Sequence, residues 1–325
     1  MTDTAAPRTD RPAIQLPDGV VSDPEPRFRL ADYAALLKPR VMSLVVFTAM
    51  VGLVMAPGQI GPVEAFAAIL CISLGAGASG AINMWYDRDI DLHMQRTQMR
   101  PIPAGRMEAQ NALWFGTALA TLSVIAMVVL VNEISAALLA LTILYYVFIY
   151  TVWLKRRTPQ NIVIGGASGA LPPVIGWAAV TGNAGFFSDP WGAVALFMII
   201  FLWTPPHTWA LALFRRQDYQ NVGVPMLPVV AGDHGTKLQM AIYTALLIPA
   251  TFAPVAIGVS GWLYLAVAAL LNVNLCRHMM IVWRTTEGLG MREGPARPMF
   301  FYTIFYLFGI FVALLADRTL FFAII

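Results

Sequence analysis

The amino-acid sequence predicts an all-α polytopic membrane protein with nine transmembrane helices. Of its 325 residues, 58% are hydrophobic and only 12% are charged, and a soluble domain of that composition could not hide its apolar surface. The apolar residues also gather into runs of about twenty, the length with which a helix crosses the hydrocarbon core. These runs cover 41–56, 64–84, 111–131, 134–154, 161–181, 191–214, 238–258, 262–283 and 298–316.

The first thirty residues differ from the rest of the chain. They hold several prolines, nine acidic or basic residues and no apolar run, which is typical of a disordered segment. The acidic residues also argue against a mitochondrial presequence. We therefore expect a disordered cytoplasmic tail over 1–30 and a membrane domain over 31–325, in the inner membrane of a bacterium.

The basic residues predict the orientation of the chain. Lys and Arg accumulate on the cytoplasmic side of membrane proteins. Here they precede the first apolar run and occupy the second, fourth, sixth and eighth connections, whereas the odd-numbered connections contain none. This pattern places the N-terminus in the cytoplasm, the C-terminus in the periplasm and every charged motif on the cytoplasmic face.

Three polar residues follow the second apolar run at helical spacing. Asn83, Asp87 and Asp91 stand at i, i+4 and i+8, which places them on one face of a helix. Carboxylates at the end of a membrane helix are unfavourable unless they are paired or bound to a cation. One amide and two carboxylates suit Mg²⁺, which fills its other positions with water and phosphate oxygens. The motif therefore indicates a diphosphate substrate; the alternative is a solvated helix end whose carboxylates pair with Arg88 or Arg96.

Basic side chains share the predicted cytoplasmic face with this motif. The planar guanidinium of arginine binds phosphate through two hydrogen bonds, so the arginines after the motif could close over a diphosphate. The candidates for this role are Lys38, Arg40, Arg96, Arg100, Arg106, Lys155, Arg156 and Arg215. For each of them the alternative is attraction to anionic headgroups. Asp89 lies on another face of the helix, and we expect it to be structural.

A second polar segment covers residues 202–228. His207 and Asp218 stand at i and i+11 of one helical repeat, so we expect them to face the same way, with His207 about 16 Å deeper along the axis. Pro205 and Pro206 predict a kink beside the histidine, which is tolerated where a helix lines a cavity. His207 is thus a candidate general base or axial iron ligand, and the alternative is a hydrogen bond across helices.

Glycines follow the basic run at the start of the fifth predicted helix. Gly165, Gly166 and Gly169 let neighbouring helices approach closely, or leave room for a bulky ligand.

Three runs carry a resemblance to a known family. NMWYDRDIDLHMQRTQMRPIPAGR, KRRTPQNIVIGGASGALPPVIGW and DYQNVGVPMLPVVAGDHGT together resemble the UbiA superfamily of intramembrane prenyltransferases, and the last two resemble its heme-modifying branch. The resemblance extends from about Leu37 to the last helix. It implies nine helices around a central cavity open to the cytoplasmic side. It also implies transfer of a farnesyl group from farnesyl diphosphate to a vinyl group of heme B, with water addition, giving heme O and diphosphate for cytochrome oxidase cofactor biosynthesis.

The resemblance also assigns roles to residues. The catalytic and Mg²⁺-binding residues that it implies are Asn83, Asp87 and Asp91 in a first motif and Asp218 in a second. Met84 and Val222 stand where many superfamily members carry further aspartates, which argues against two equal metal sites. His207 becomes a candidate heme-binding residue.

The implied partners are the heme B and farnesyl diphosphate substrates, the lipid bilayer, and heme A synthase or oxidase assembly factors; no nucleic acid is expected. Two other functions stay open. One is a UbiA-type prenyltransferase that alkylates an aromatic ring such as a quinone precursor. The other is a transporter whose intramembrane carboxylates bind a coupling ion.

Overall fold

The computed structural model describes residues 29–285 and 294–322, and every regular element within them is a helix. The predicted disordered tail therefore lies outside the described residues, except for Arg29 and Leu30. The helices are α1 (Leu30–Leu36), α2 (Pro39–Met55), α3 (Pro62–Tyr86), α4 (Arg88–Asp91), α5 (Ala109–Leu130), α6 (Glu133–Leu144), α7 (Asn161–Ala170), α8 (Pro172–Ser188), α9 (Trp191–Phe214), α10 (Arg216–Asn221), α11 (Leu227–Val230), α12 (Gly232–Ala256), α13 (Trp262–Arg284) and α14 (Ala296–Asp317).

The predicted membrane spans are confirmed. Within the described residues, eight helical stretches are long and apolar enough to cross a membrane, or nine if α1 and α2 form one broken span. Most boundaries agree with the sequence prediction within two residues. The fifth span ends later than predicted because α8 continues past a kink at Gly182, whose φ of 63° suits a glycine. The seventh begins earlier because polar residues from Gly232 onwards add turns to α12.

The bend between α1 and α2 has a local cause. Pro39 opens α2, and a residue before proline avoids the right-handed helical region. Lys38 adopts a left-handed conformation with φ of 51°, and the two helices meet at 53°. Arg106 ties α1 to the loop before α5 through a 2.9 Å ion pair with Asp32. This arrangement aims the Lys38 side chain at α3.

Close helix contacts hold the centre of the bundle. A Cβ atom on Gly52 would lie 2.1 Å from the carbonyl oxygen of Pro173, and one on Gly176 would lie 2.2 Å from that of Ala49. Only glycine therefore lets α2 and α8 approach this closely. The large core beside them includes Trp177 from α8 and Phe311 from α14.

The helix that begins as α6 changes its hydrogen-bond pattern before it ends. Residues Tyr145–Leu154 form a π-helical segment, and the Lys155 N–H donates to the Tyr150 carbonyl five residues earlier, at 2.9 Å. The segment ends beside the end of α3. It therefore brings the fourth connection next to the predicted first motif.

Candidate active site

A cavity of about 960 Å³ lies within the bundle. Its polar lining comes from the start of α2, the end of α3, the following loop and the residue after the π-helical segment. Its apolar lining comes mainly from α2, α9 and α14. Basic residues from before the first span and from the second and fourth connections thus meet at one end of a largely apolar chamber.

The first motif lies at this polar end, across a break in the helix. The helix α3 ends at Tyr86, and Asp87 separates it from the short helix α4. Two backbone hydrogen bonds of 2.9 Å, from Asp87 to Asn83 and from Asp91 to Asp87, preserve the helical repeat across the break. The three side chains therefore stay on one side, and all three are buried.

Each of the three motif side chains contacts a cation. Lys38 Nζ donates to Asn83 Oδ1 at 3.0 Å, and Arg100 Nη1 pairs with Asp91 Oδ2 at 2.6 Å. Lys155 Nζ pairs with Oδ2 of Asp87. Buried carboxylates persist only with such partners. The alternative from the sequence is that these carboxylates pair with Arg88 or Arg96. Arg88 instead donates to the Trp85 carbonyl oxygen at 2.7 Å, and Arg96 lines the cavity.

The amide of Asn83 has a fixed orientation. Its Nδ2 donates to Asp87 Oδ2 at 2.7 Å and to Thr151 Oγ1 at 3.2 Å. A carboxylate can only accept, so the contact with Asp87 requires the NH₂ group on that side, and Oδ1 points toward Lys38. Sequence reasoning missed Thr151, because a threonine inside an apolar run carries no functional signal until the π-helical segment places it beside α3.

The acidic residues offer oxygen atoms that suit Mg²⁺. Within the described residues, Asp87 Oδ1 and Asp218 Oδ2 are buried and accept no hydrogen bond. Carboxylate and amide oxygens are the ligands that Mg²⁺ prefers. The part of the chain that the structure describes contains no group of three or more His, Cys, Asp or Glu side chains that could enclose a metal ion. The donor set therefore fits an ion that takes its other ligands from water and a diphosphate.

The structure separates the predicted basic residues into two groups. Those that line the cavity are Lys38, Arg40, Arg96, Arg100 and Lys155. The other three have acidic neighbours: Arg106 pairs with Asp32, Arg156 pairs with Asp89 at 2.7 Å, and Arg215 lies 3.9 Å from Asp218. The hydrogen bond from Arg156 lowers the pKa of Asp89.

His207 and Asp218 do not share one helix, contrary to the sequence prediction. The helix α9 ends at Phe214, and Arg215, with φ of −113° and ψ of 18°, separates it from α10, which carries Asp218. Pro205 and Pro206 both lie inside α9, which runs unbroken around them. His207 lines the cavity, whereas Asp218 is buried and does not line it, although the next residue in the sequence, Tyr219, does.

The imidazole of His207 is held on three sides. It stacks between the rings of Trp203 and Phe300, with centroids at 4.2 and 4.7 Å. Its Nδ1 lies 2.7 Å from Thr303 Oγ1, which also lies 2.6 Å from the Phe300 carbonyl oxygen. A hydroxyl has one proton, and that carbonyl can only accept, so the pattern assigns the other proton to Nδ1. The lone pair then remains on Nε2, and the cross-helix hydrogen bond and a ligand role are compatible.

The glycines of α7 differ in their surroundings. A Cβ atom on Gly165 would lie 2.2 Å from the Tyr150 ring, and one on Gly166 would lie 3.0 Å from Thr204. At Gly169 no described atom lies within 4 Å of that position. Gly165 therefore serves close packing, and Gly169 leaves space in the cavity wall.

The membrane-spanning helical fold and a cationic site above an apolar chamber define the class of this protein as an intramembrane prenyltransferase. The UbiA prenyltransferase family matches residues 45–304, and the chain belongs to this family.

Relatives with high identity cover nearly the whole chain. A protein of Parvibaculum lavamentivorans is 52% identical over 98% of this chain and 96% of its own length. A protein of Rhizobium rhizogenes is 56% identical over 88% of both chains. Both are named protoheme IX farnesyltransferase.

Solved structures share the fold. A digeranylgeranylglyceryl phosphate synthase superimposes with a TM-score of 0.72 at 16% identity, covering 89% of this chain and 98% of its own. A UbiA homolog from Archaeoglobus fulgidus bound to DMAPP and Mg²⁺ gives 0.63 at 15% identity, covering 87% and 99%. The predicted UbiA-type helical fold is thereby confirmed.

Proposed function

We propose that the chain transfers the farnesyl group of farnesyl diphosphate to a vinyl group of heme B, giving heme O and diphosphate. The names of the relatives that match 88–98% of the chain favour heme B as the acceptor. The observation that carries the proposal is the cavity itself. Asn83, the buried carboxylate of Asp91 and five cations line one end of it, and His207 lies between aromatic rings in its apolar part.

Asn83, Asp87, Asp91 and Asp218 would hold Mg²⁺, which when bound offsets the charge that develops on the leaving diphosphate. A UbiA homolog solved with DMAPP and Mg²⁺ supports this assignment by its fold. The five cavity cations, Lys38, Arg40, Arg96, Arg100 and Lys155, bind the diphosphate oxygens by charge-assisted hydrogen bonds. Arg106, Arg156 and Arg215 do not line the cavity, and we leave them out of the diphosphate site.

The reaction breaks the bond between farnesyl C1 and the diphosphate oxygen, and the electron pair leaves with the diphosphate. The π electrons of the vinyl group form the new C–C bond to farnesyl C1. Water then adds to the cation beside the porphyrin and loses a proton to the diphosphate. The apolar walls from α2, α9 and α14 keep water from the first, allylic cation.

His207 orients the porphyrin in this proposal. Its Nδ1 is engaged by Thr303, so Nε2 is the atom available to heme iron. The heme thereby gains a fixed position relative to the diphosphate end of the cavity. Proximity of this kind lowers the barrier to the bond-forming step.

The chain spans a membrane, and the proposal places it in a bacterial inner membrane with its N-terminus in the cytoplasm and its C-terminus in the periplasm. The distribution of Lys and Arg supports this orientation. The farnesyl chain makes heme O lipophilic, so an enzyme or assembly factor that consumes it would receive it within the bilayer. Heme A synthase and oxidase assembly factors are the candidates.

The test is an assay of the purified protein with heme B, farnesyl diphosphate and Mg²⁺, read by mass spectrometry of the heme. We expect a hydroxyethylfarnesyl heme from the wild type and none from Asp87→Asn. Farnesyl transfer to a quinone precursor but not to heme B would contradict the proposed acceptor. Solute movement in liposomes without consumption of farnesyl diphosphate would replace the enzyme with a transporter.

A further inference from the structure

Asp89, which the sequence suggests is structural, binds the guanidinium of Arg156 through both carboxylate oxygens. Arg156 Nη1 donates to Asp89 Oδ2 and Nη2 to Asp89 Oδ1, each at 2.7 Å. The guanidinium also covers the ring of Tyr86 at 4.9 Å. Two parallel hydrogen bonds to one carboxylate fix both the position and the plane of a guanidinium.

The same guanidinium lies beside the first motif. Nη2 of Arg156 donates to the Tyr86 carbonyl oxygen at 3.2 Å, where α3 ends. It lies 3.5 Å from Oδ1 of Asp87, too far for a strong hydrogen bond. Among the described residues this oxygen accepts no hydrogen bond, although it is buried.

We propose that Asp89 is a positioning residue that holds Arg156 away from Oδ1 of Asp87 and so keeps this oxygen available for a divalent cation. The other oxygen of Asp87 already accepts from Asn83 and Lys155. If Asp89 released it, Arg156 would need only a small movement to bind Oδ1. Both oxygens of Asp87 would then contact cationic or amide donors, and a metal ion would have to displace them.

This inference rests on the proposed function, because it takes the first motif as the site of a metal-bound diphosphate. It assigns the charge of Arg156 to orientation rather than to the diphosphate; Arg156 and Asp87 both lie behind the residues that line the cavity. The Asp89 side chain is 60% exposed, so its ion pair contributes little to folding. Replacing Asp89 therefore separates an effect on the site from an effect on the fold.

The experiment measures Mn²⁺ binding to the full chain in detergent, in the presence of inorganic diphosphate, by electron paramagnetic resonance. The variants are Asp89→Ala, the conservative Asp89→Glu, Arg156→Gln and the double variant Asp89→Ala/Arg156→Gln. We expect Asp89→Ala to weaken Mn²⁺ binding by about 10- to 100-fold, the usual effect of losing a residue that orients a metal ligand. Asp89→Glu should bind nearly as the wild type does.

The double variant provides the decisive comparison. Removing Arg156 from Asp89→Ala should restore Mn²⁺ binding, because no guanidinium is left to occupy Oδ1 of Asp87. Thermal unfolding of each variant, recorded in parallel, should stay close to that of the wild type. A double variant that binds Mn²⁺ as weakly as Asp89→Ala would overturn the proposal, and so would wild-type binding by Asp89→Ala.

Farnesylation of heme B by the same preparations distinguishes this inference from the proposed function. If the wild type binds Mn²⁺ with diphosphate but modifies no heme, the acceptor assignment fails. The dependence of Mn²⁺ binding on Asp89 would still support the positioning role. If the wild type binds no Mn²⁺ in the presence of diphosphate, the positioning role is overturned.

Discussion

Lys155 and Asp87 form an ion pair inside the bundle that joins the end of the π-helical segment to the end of α3. The Asp87 side chain is fully buried, and its Oδ2 accepts from both Lys155 and Asn83. Removing one partner of a buried pair leaves the other charge uncompensated. Stability and chemistry therefore depend on the same contact.

Replacing Lys155 with Met should destabilise the protein by about 3 kcal/mol, because the buried carboxylate loses its main cation. Asp87→Asn should cost less, since the Lys155 ammonium can turn toward the cavity that it lines. Both variants should form no farnesylated heme. Thermal unfolding in detergent and mass spectrometry measure the two effects, with Lys155→Arg as the control that keeps the charge. Wild-type stability in Lys155→Met would contradict the pairing.

Thr151→Val should weaken Mg²⁺ binding through Asn83, and it keeps nearly the same side-chain size at residue 151. The valine cannot accept from Asn83 Nδ2, so the amide loses one of its three hydrogen bonds and is held only by Asp87 and Lys38. We expect the Mg²⁺ concentration that gives half-maximal rate to rise by about 10-fold or more. Thr151→Ser keeps the hydroxyl and should behave as the wild type does. Equal Mg²⁺ dependence in the valine and serine variants would remove Thr151 from the site.

His207→Ala should change the absorption spectrum of bound heme if Nε2 ligates the iron. Thr303→Val provides a second variant, because it removes the hydrogen-bond partner of Nδ1 but leaves the imidazole in place. We expect a smaller spectral change in that variant than in His207→Ala. An unchanged spectrum in a His207→Ala protein that still binds heme would exclude iron ligation by this residue.

Gly165→Ala and Gly169→Ala form a matched pair on α7. The first places a Cβ atom against the Tyr150 ring and should destabilise the protein by about 1–3 kcal/mol. The second places it where no described atom lies within 4 Å, so its stability should match that of the wild type. Unfolding curves of the two variants and the wild type measure these stabilities. Equal destabilisation by the two variants would contradict the assignment of Gly169 to the cavity wall.

The ion pair of Asp89 and Arg156 predicts a small pH dependence of stability. The hydrogen bond from Arg156 lowers the pKa of Asp89 below its unfolded value of about 3.9. A carboxyl group with a lowered pKa contributes stability above the unfolded value and loses it as the pH falls through the folded value. The difference in unfolding free energy between wild type and Asp89→Asn should be constant from about pH 5 to 8 and should vanish at lower pH. Unfolding of both proteins at several pH values measures this difference. A difference that grows on acidification would contradict the ion pair.

The spans and the first motif could be predicted because they follow from local pattern. A run of twenty apolar residues has one stable form in a bilayer, which is a helix. The helical repeat alone brings Asn83, Asp87 and Asp91 to one side. Their charges also require cations nearby, and the sequence offered several.

The sequence could not tell which cation each carboxylate would take. Long basic side chains reach in many directions, so spacing in the sequence does not distinguish Arg100 from Arg96 as the partner of Asp91. It also does not predict that Arg156 pairs with Asp89. The break after Phe214 was likewise hidden, because His207 and Asp218 fit the repeat of one continuous helix. Such features depend on tertiary contacts rather than on periodicity.

The π-helical hydrogen-bond pattern of Tyr145–Leu154 sets the direction of the side chains at and after the end of this segment. A π-helical turn holds more residues than an α-helical turn, so a change to the ordinary α-helical repeat at constant length would rotate each later side chain around the axis. Lys155 would swing away from α3, and Thr151 would leave Asn83. A change in the backbone hydrogen-bond pattern of this segment alone would therefore separate two halves of the site while every membrane span kept its hydrophobic residues.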